Sequence, residues 1–220
     1  MMRFLDRAHA GRLLAERLRG YAGQPAIVLA LPRGGVPVGF EVARRLGAPL
    51  DVFVVRKLGV PGQEELALGA IATGGVRMLN DDVVALVGLS EGEIEAVAAR
   101  ERQELARRER AYRGERPPPD VRDRTAILVD DGLATGATMR AAAVGVRRQE
   151  AARVVVAVPA AAAETCELLA SEADDVVCLT TPEPFYAVGL WYEDFSETSD
   201  DEVRRLLEAG RARTRPAEAV

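Results

Sequence analysis

The chain has 220 residues, 48% of them apolar and 29% charged, with a formal net charge of −5. That length suits one α/β domain able to bury a sizeable core. No apolar run reaches the roughly 18 residues that span a bilayer, no charged-then-apolar leader stands at the start, and the acidic balance gives no general reason to expect nucleic-acid binding.

The lone histidine, His9, falls in a helical pattern, which argues against a histidine-based triad or a zinc centre. Cys166 and Cys178 lie in apolar segments without metal-like spacing. They are expected as buried free thiols, which fits the cytosol.

In chain order, Asp6 to Leu18 carries apolar residues near helical spacing, with Asp6 placed as an N-cap. Ala26 to Leu31 reads as a buried strand, and Phe40 to Leu46 as a helix. Between them stands Pro32-Arg-Gly-Gly-Val-Pro-Val-Gly39. Its backbone N–H groups, with Arg33, Gly34 and Gly35, form an anion-binding turn; the bland alternative is a plain glycine turn. The strand Asp51 to Val55 ends in Arg56 and Lys57, two cations expected at the carboxyl end of a parallel strand, where such sheets bind ligands. Leu58 to Leu66, with glycines, a proline and the acids Glu64 and Glu65, reads as a flexible loop. Gly69 to Ala72 and Val76 to Leu79 read as a hairpin about Thr73-Gly-Gly75.

Within residues 80–120, Asn80 to Val87 and Ser90 to Tyr112 read as helices, the second opened by the capping-box pattern Ser90-Glu-Gly-Glu93, and Arg116-Pro-Pro-Pro119 ends the segment. Arginines and glutamates interleave along it, which indicates a solvated, ion-paired face rather than an RNA contact.

The most informative stretch is Ile127-Leu-Val-Asp-Asp-Gly-Leu-Ala-Thr-Gly-Ala-Thr138. A β-branched, apolar strand runs into two carboxylates, Asp130 and Asp131, then into a glycine-containing turn and the helix-forming run Met139 to Val146. Free N–H groups and the positive end of a helix meet there, a receptor for a phosphate. Thr135 and Thr138 add hydroxyl donors, and the acids stand where sugar hydroxyls could donate to them. Gly136 is followed by Ala137 rather than Lys, so this is not a nucleotide P-loop, and it lacks the G-x-G-x-x-G spacing of a dinucleotide fingerprint.

Beyond it, Arg153 to Pro159 and Asp175 to Leu179 read as strands, and Glu164 to Ser171 as a helix. Pro184 to Phe195 concentrates five of the ten aromatics, either as core or as a wall for a base. From Ser199 an amphipathic helix precedes an Arg- and Ala-containing end expected to be disordered.

The apolar strand, paired acids and Thr-Gly-x-Thr of residues 127–138 resemble the signature of the type I phosphoribosyltransferases. The resemblance implies an α/β fold with a mostly parallel central sheet flanked by helices. It makes residues 1–220 a single domain, with a helical insertion at 80–120 and a small hood and tail at 180–220. It implies a site for 5-phosphoribosyl 1-pyrophosphate and a nitrogenous base. Asp130 and Asp131 would bind the ribose hydroxyls, and Ala134, Thr135, Gly136, Ala137 and Thr138 the 5-phosphate. Arg33, Gly34, Gly35, Arg56 and Lys57 would bind the pyrophosphate, with a cis peptide expected at Pro32–Arg33. The loop 58–66 would close over the site. Phe185 or Tyr186 would cover the base, and Glu193 or Asp194 would help hold Mg2+. Hypoxanthine–guanine members carry an acid where this chain has Ala134, so the signature is nearer the adenine and uracil enzymes, and proton transfer would fall to Glu64 or Glu65. The implied setting is nucleotide salvage by a cytoplasmic homodimer. The alternative is a non-catalytic regulator of the same fold that senses phosphoribosyl pyrophosphate and contacts nucleic acid.

Overall fold

The computed structural model describes residues 3–214. Its centre is a five-stranded, wholly parallel sheet made of β1 (Ala26–Ala30), β2 (Leu50–Val52), β6 (Thr125–Val129), β7 (Arg153–Ala160) and β8 (Asp175–Thr180), in the order β2-β1-β6-β7-β8. Alternate residues of β1, β6 and β7 enter opposite cores, as the two-residue period of a strand requires. Val28, Ala30, Ile127, Val129 and Val155 face α1 (Arg7–Arg17), α2 (Gly35–Leu46) and α7 (Asp200–Thr214). Ile27, Leu29, Leu128, Val154 and Val156 face α5 (Ala137–Arg148) and α6 (Ala163–Leu169). Burial on both faces is why β1, β6 and β7 read as nearly unbroken Val/Ile/Leu/Ala runs. Truncating one such residue, for example Ile127→Ala, costs about 2–5 kcal/mol.

The chain leaves β1 for β2 on one side and returns to β6 on the other, so the direction of winding reverses between β1 and β6. A crevice opens there, beyond the carboxyl ends of the strands. The loops after β1 and β6 form its two lips.

A second, antiparallel sheet, β3-β4-β5, consists of β3 (Val55–Val60), β4 (Gln63–Ala72) and β5 (Val76–Leu79). Two sequence expectations are corrected here. Arg56 and Lys57 do not end a parallel strand, because the chain leaves the parallel sheet after Val52. Phe53 and Val54 are both buried and carry it across, with Val54 N donating to Thr73 Oγ1 at 2.9 Å. Leu58 to Leu66 is not a loop but the end of a β-hairpin turning at Pro61-Gly62, with Gly62 at φ +77°. Its ladder shifts register around Gly59, where a Cβ would meet Glu64 O at 2.7 Å. The hairpin about Thr73-Gly-Gly75 forms as expected.

Helix α3 (Asp81–Val87) is capped by Asn80, and α4 (Glu91–Arg113) by a complete Ser90/Glu93 capping box. The far end of α4 is tied to β2 by Arg113, which is buried and donates to Asp51 Oδ1 at 2.8 Å and to the carbonyl of Val52 at 2.6 Å. Helix α2 begins at Gly35, ahead of the expected Phe40, because Pro37 falls in its first turn, where no N–H is needed.

The cysteines are a third correction: Cys166 and Cys178 form a disulfide. The short connection 170–174 folds α6 back on β8 and brings the two Cα atoms to 6.9 Å. The cysteines therefore no longer argue for a reducing compartment. Helix α7 runs to Thr214, and the remainder of the end expected to be disordered, residues 215–220, lies outside the described residues. No helix among the described residues is long and apolar enough to cross a membrane.

Candidate functional site

The lip after β1 starts with Leu31 N donating to Val129 O at 2.8 Å, which locks it to β6. The peptide Pro32–Arg33 is cis, as the resemblance implied. Gly34 and Gly35 follow, pressed against the acids of the other lip. A Cβ on Gly34 would land on Asp131 Oδ2, and one on Gly35 would come within 2.7 Å of Val129 O and 2.9 Å of Asp130 Cα. Only glycine permits this approach. Gly34 and Gly35 of the turn expected to bind pyrophosphate are thus in van der Waals contact with the acids expected to bind ribose.

Asp130 and Asp131 stand at the end of β6, both partly buried, with Asp131 N donating to Asp130 Oδ1 at 2.8 Å. Loss of solvent, and then the neighbouring Asp131 charge, hold the Asp130 carboxyl well above the usual aspartate range. Asp131 has a compensating cation: Arg7 Nε donates to its Oδ2 at 2.8 Å. Arg7 also donates to Ser196 O at 2.6 Å and lies 3.9 Å from the ring centroid of Phe195.

The turn that follows is fixed to the sheet. Leu133 N donates to Ala160 O at 2.9 Å, and Thr165 Oγ1 of α6 donates to Ala134 O at 2.7 Å. Gly136 caps α5 at φ +69°, the left-handed region that glycine enters without a Cβ penalty. Ala134, Thr135, Ala137 and Thr138 are exposed at the start of α5, where the first amides of a helix have no intrahelical acceptor.

A hood of residues 184–196 covers this lip. Val188 packs on Gly132, where a Cβ would come within 2.5 Å of its Cγ1. Phe185 stacks on Trp191 with ring centroids 6.5 Å apart and belongs to a cluster with Phe4, Ala10, Ala160 and Tyr192. Tyr186 is 78% exposed. Of the two candidate base covers, Phe185 is engaged in core packing and Tyr186 is open to solvent. Tyr192 donates its hydroxyl to Asp131 O at 2.6 Å, and burial followed by the nearby Asp131 charge pushes its phenol up, keeping it a donor. The N-terminal segment pairs with the hood: Phe4 N donates to Trp191 O, Glu193 N to Phe4 O at 2.8 Å, and Asp194 N to Leu5 O at 2.9 Å.

Several predicted charges already have protein partners. Arg33 pairs with Glu197 and, at 3.9 Å, with Asp200. Arg56 pairs with Glu101 of α4 at 2.8 Å, and Lys57 with Glu65 at 3.2 Å. Glu64 accepts from Gly62 N at 3.3 Å in the exposed hairpin turn. Asp194 accepts from Ser196 N at 2.9 Å, and Glu193 is exposed at the hood edge. Among the described residues no group of three or more His, Cys, Asp or Glu side chains converges on a metal position. The arginines of α4 are largely answered within the fold: Arg102 by Glu95, Arg107 and Arg108 by Glu104, and Arg113 by Asp51 and Glu109.

Sequence reasoning missed Arg7 and Thr165. Each acts on the crevice from another element, 124 residues from Asp131 and 31 from Ala134. No local spacing announces either.

The profile of the "Phosphoribosyl transferase domain" family matches residues 5–193. Two relatives from Mycobacterium tuberculosis, "Putative phosphoribosyl transferase Rv0571c" (H37Rv) and "Putative phosphoribosyl transferase MT0597" (CDC 1551), are each 51% identical over 208 residues, 94% of this chain. The chain spans about half, 47%, of the length of these relatives. The crystal structure of TT1426 from Thermus thermophilus superposes with a TM-score of 0.83 at 48% identity, covering 94% of this chain and 98% of that one.

Proposed function

From the premise that the chain belongs to the phosphoribosyl transferase domain family, we propose that it transfers a phosphoribosyl group from 5-phosphoribosyl 1-pyrophosphate to a nitrogenous base or related acceptor, releasing pyrophosphate. The observation that carries this reading is the contact between the two lips, with Gly34 and Gly35 against Asp130 and Asp131, at the point where the sheet reverses its winding. A sugar bound by the acids would have its anomeric carbon beside the anion-binding turn, with its 5-phosphate toward the capped end of α5.

In the reaction, the lone pair of the acceptor nitrogen forms the bond to the anomeric carbon as the bond from that carbon to the pyrophosphate oxygen breaks. Pyrophosphate leaves with that electron pair, and the acceptor gives up one proton. The chain supplies positioning and electrostatics. Asp130 and Asp131 hold the ribose hydroxyls; Thr135, Thr138 and the amides of residues 134–138 hold the 5-phosphate. Arg33 and the Gly34-Gly35 amides hold the pyrophosphate. Arg56 and Lys57 join them only by leaving Glu101 and Glu65. Tyr186 covers the base, and Glu64 or Glu65 takes the proton once the hairpin bends over the crevice.

The donor set suits a magnesium ion that arrives with its ligand: hard carboxylate oxygens at the hood edge, Glu193 and Asp194, and no closed protein cage among the described residues. When bound, it would neutralise charge on the leaving pyrophosphate. The physiological setting of this reading is nucleotide salvage by a cytoplasmic homodimer.

The test is pyrophosphate release from phosphoribosyl pyrophosphate and magnesium with bases offered singly. Base-dependent release that disappears in D130N/D131N supports transfer. Tight binding with no release for any base means a sensor instead.

A further inference from the structure

Arg7 is the first residue of α1, where a cation opposes the helix dipole. Local helix chemistry does not account for it, but its contacts do. Its side chain is only 11% exposed and is fixed in three directions: Nε on Asp131 Oδ2 at 2.8 Å, Nη1 on Ser196 O at 2.6 Å, and the guanidinium plane over Phe195 at 3.9 Å. Asp131 is held equally firmly. Its main-chain carbonyl accepts from Tyr192, its N–H is tied to Asp130, and Gly34 abuts its carboxylate.

We propose that Arg7 is a positioning residue, gripping one oxygen of Asp131 so that the carboxylate keeps a single orientation toward the ribose hydroxyls. The inference deepens the sugar-phosphate reading of the crevice and rests on it. A guanidinium suits the task better than an ammonium, because its planar fork can bond the carboxylate and Ser196 while stacking on Phe195. The N-terminal segment and the hood thereby form part of the sugar site without touching the substrate.

The experiment compares wild type, R7K, R7Q, D131N and R7Q/D131N by calorimetric titration with ribose 5-phosphate, with phosphoribosyl pyrophosphate plus magnesium, and with inorganic pyrophosphate. Misplacing a group that orients substrate can cost up to about a hundredfold. R7Q is expected to lose about tenfold or more in affinity for both sugar ligands, with pyrophosphate affinity changed by less than about twofold. R7K recovers part of the loss. The double variant binds no more weakly than D131N, since both changes remove the same interaction. Wild-type affinity in R7Q, an equal loss for pyrophosphate, or additive losses in the double variant overturns the proposal.

Melting curves accompany each titration. If R7Q does not fold, F195L takes its place, removing the stacking platform and leaving the charge, and an undiminished sugar affinity in that variant overturns the proposal. Wild-type protein that binds neither sugar ligand sinks the site reading itself and this inference with it. Wild-type binding left intact in R7Q sinks only the role of Arg7.

Discussion

Thr165 of α6 donates its hydroxyl to the carbonyl of Ala134 at 2.7 Å, and its methyl group lies 2.6 Å from where a Cβ on Gly136 would stand. One side chain thus satisfies the turn expected to hold the 5-phosphate and also sets how closely α6 approaches it. Thr165→Val keeps the shape and removes the hydrogen bond to an exposed turn, at about 0.5–1.5 kcal/mol. Urea denaturation should show that loss, titration with ribose 5-phosphate should show weaker binding, and Thr165→Ser should recover both.

The two lips make a sharper prediction. Gly34→Ala places a methyl group on Asp131 Oδ2 and must push the carboxylate aside. Gly47→Ala is the control, because Gly47 has φ +66° and open space around its Cβ position, so it meets only the left-handed backbone penalty of about 1–2 kcal/mol. Sugar-phosphate affinity should fall far more in G34A than in G47A, even where their melting temperatures are similar. Equal affinities would refute the contact.

Asp130 gives a pH prediction. Its folded-state pKa is raised, first by desolvation and then by Asp131. Below the unfolded value of about 3.9 the group is neutral in both states and costs nothing. As pH climbs past that value the unfolded chain ionises first, and stability declines until the folded-state carboxyl also ionises. Asp130→Asn removes that cost. Its melting temperature should exceed wild type by a few degrees at pH 7–8, given about 2–4 °C per kcal/mol at this size, and the gain should vanish toward pH 3–4. A gain independent of pH would mean that packing, not charge, is responsible.

Arg33 is held by Glu197 and Asp200, on the segment that enters α7. An anion bound to the turn after β1 competes with these carboxylates. Glu197→Gln should therefore raise affinity for inorganic pyrophosphate several-fold at low salt, with the difference shrinking as ionic strength rises. The pair is exposed, so folding stability should change by less than about 1 kcal/mol.

The Cys166–Cys178 bridge closes a short loop between α6 and β8, twelve residues apart in sequence. For a loop near that length the chain-entropy argument gives about 3 kcal/mol. Thiol titration of the unfolded, unreduced protein should find no free thiol, and C166S/C178S should melt several degrees lower. Two thiols titrating without reductant would mean that the cysteines are free after all.

The residues themselves determined the elements whose cause is local. Runs such as Ile127 to Val129 suit strands buried on both faces, and Ser90 with Glu93 forms the capping box that opens the helix after it. The paired acids and the two glycine turns were legible for the same reason, since each is a short segment whose chemistry is complete within a few residues. Tertiary structure alone decided where chain segments distant in sequence meet. It turned Arg56 toward Glu101, stacked Phe185 on Trp191 and left Tyr186 exposed, joined two cysteines, and brought Arg7 to Asp131 and Thr165 to Ala134. Spacing carries no signal for such contacts. They exist because the sheet order fixes which strand ends are neighbours, and close packing then selects which side chains fill the space between them.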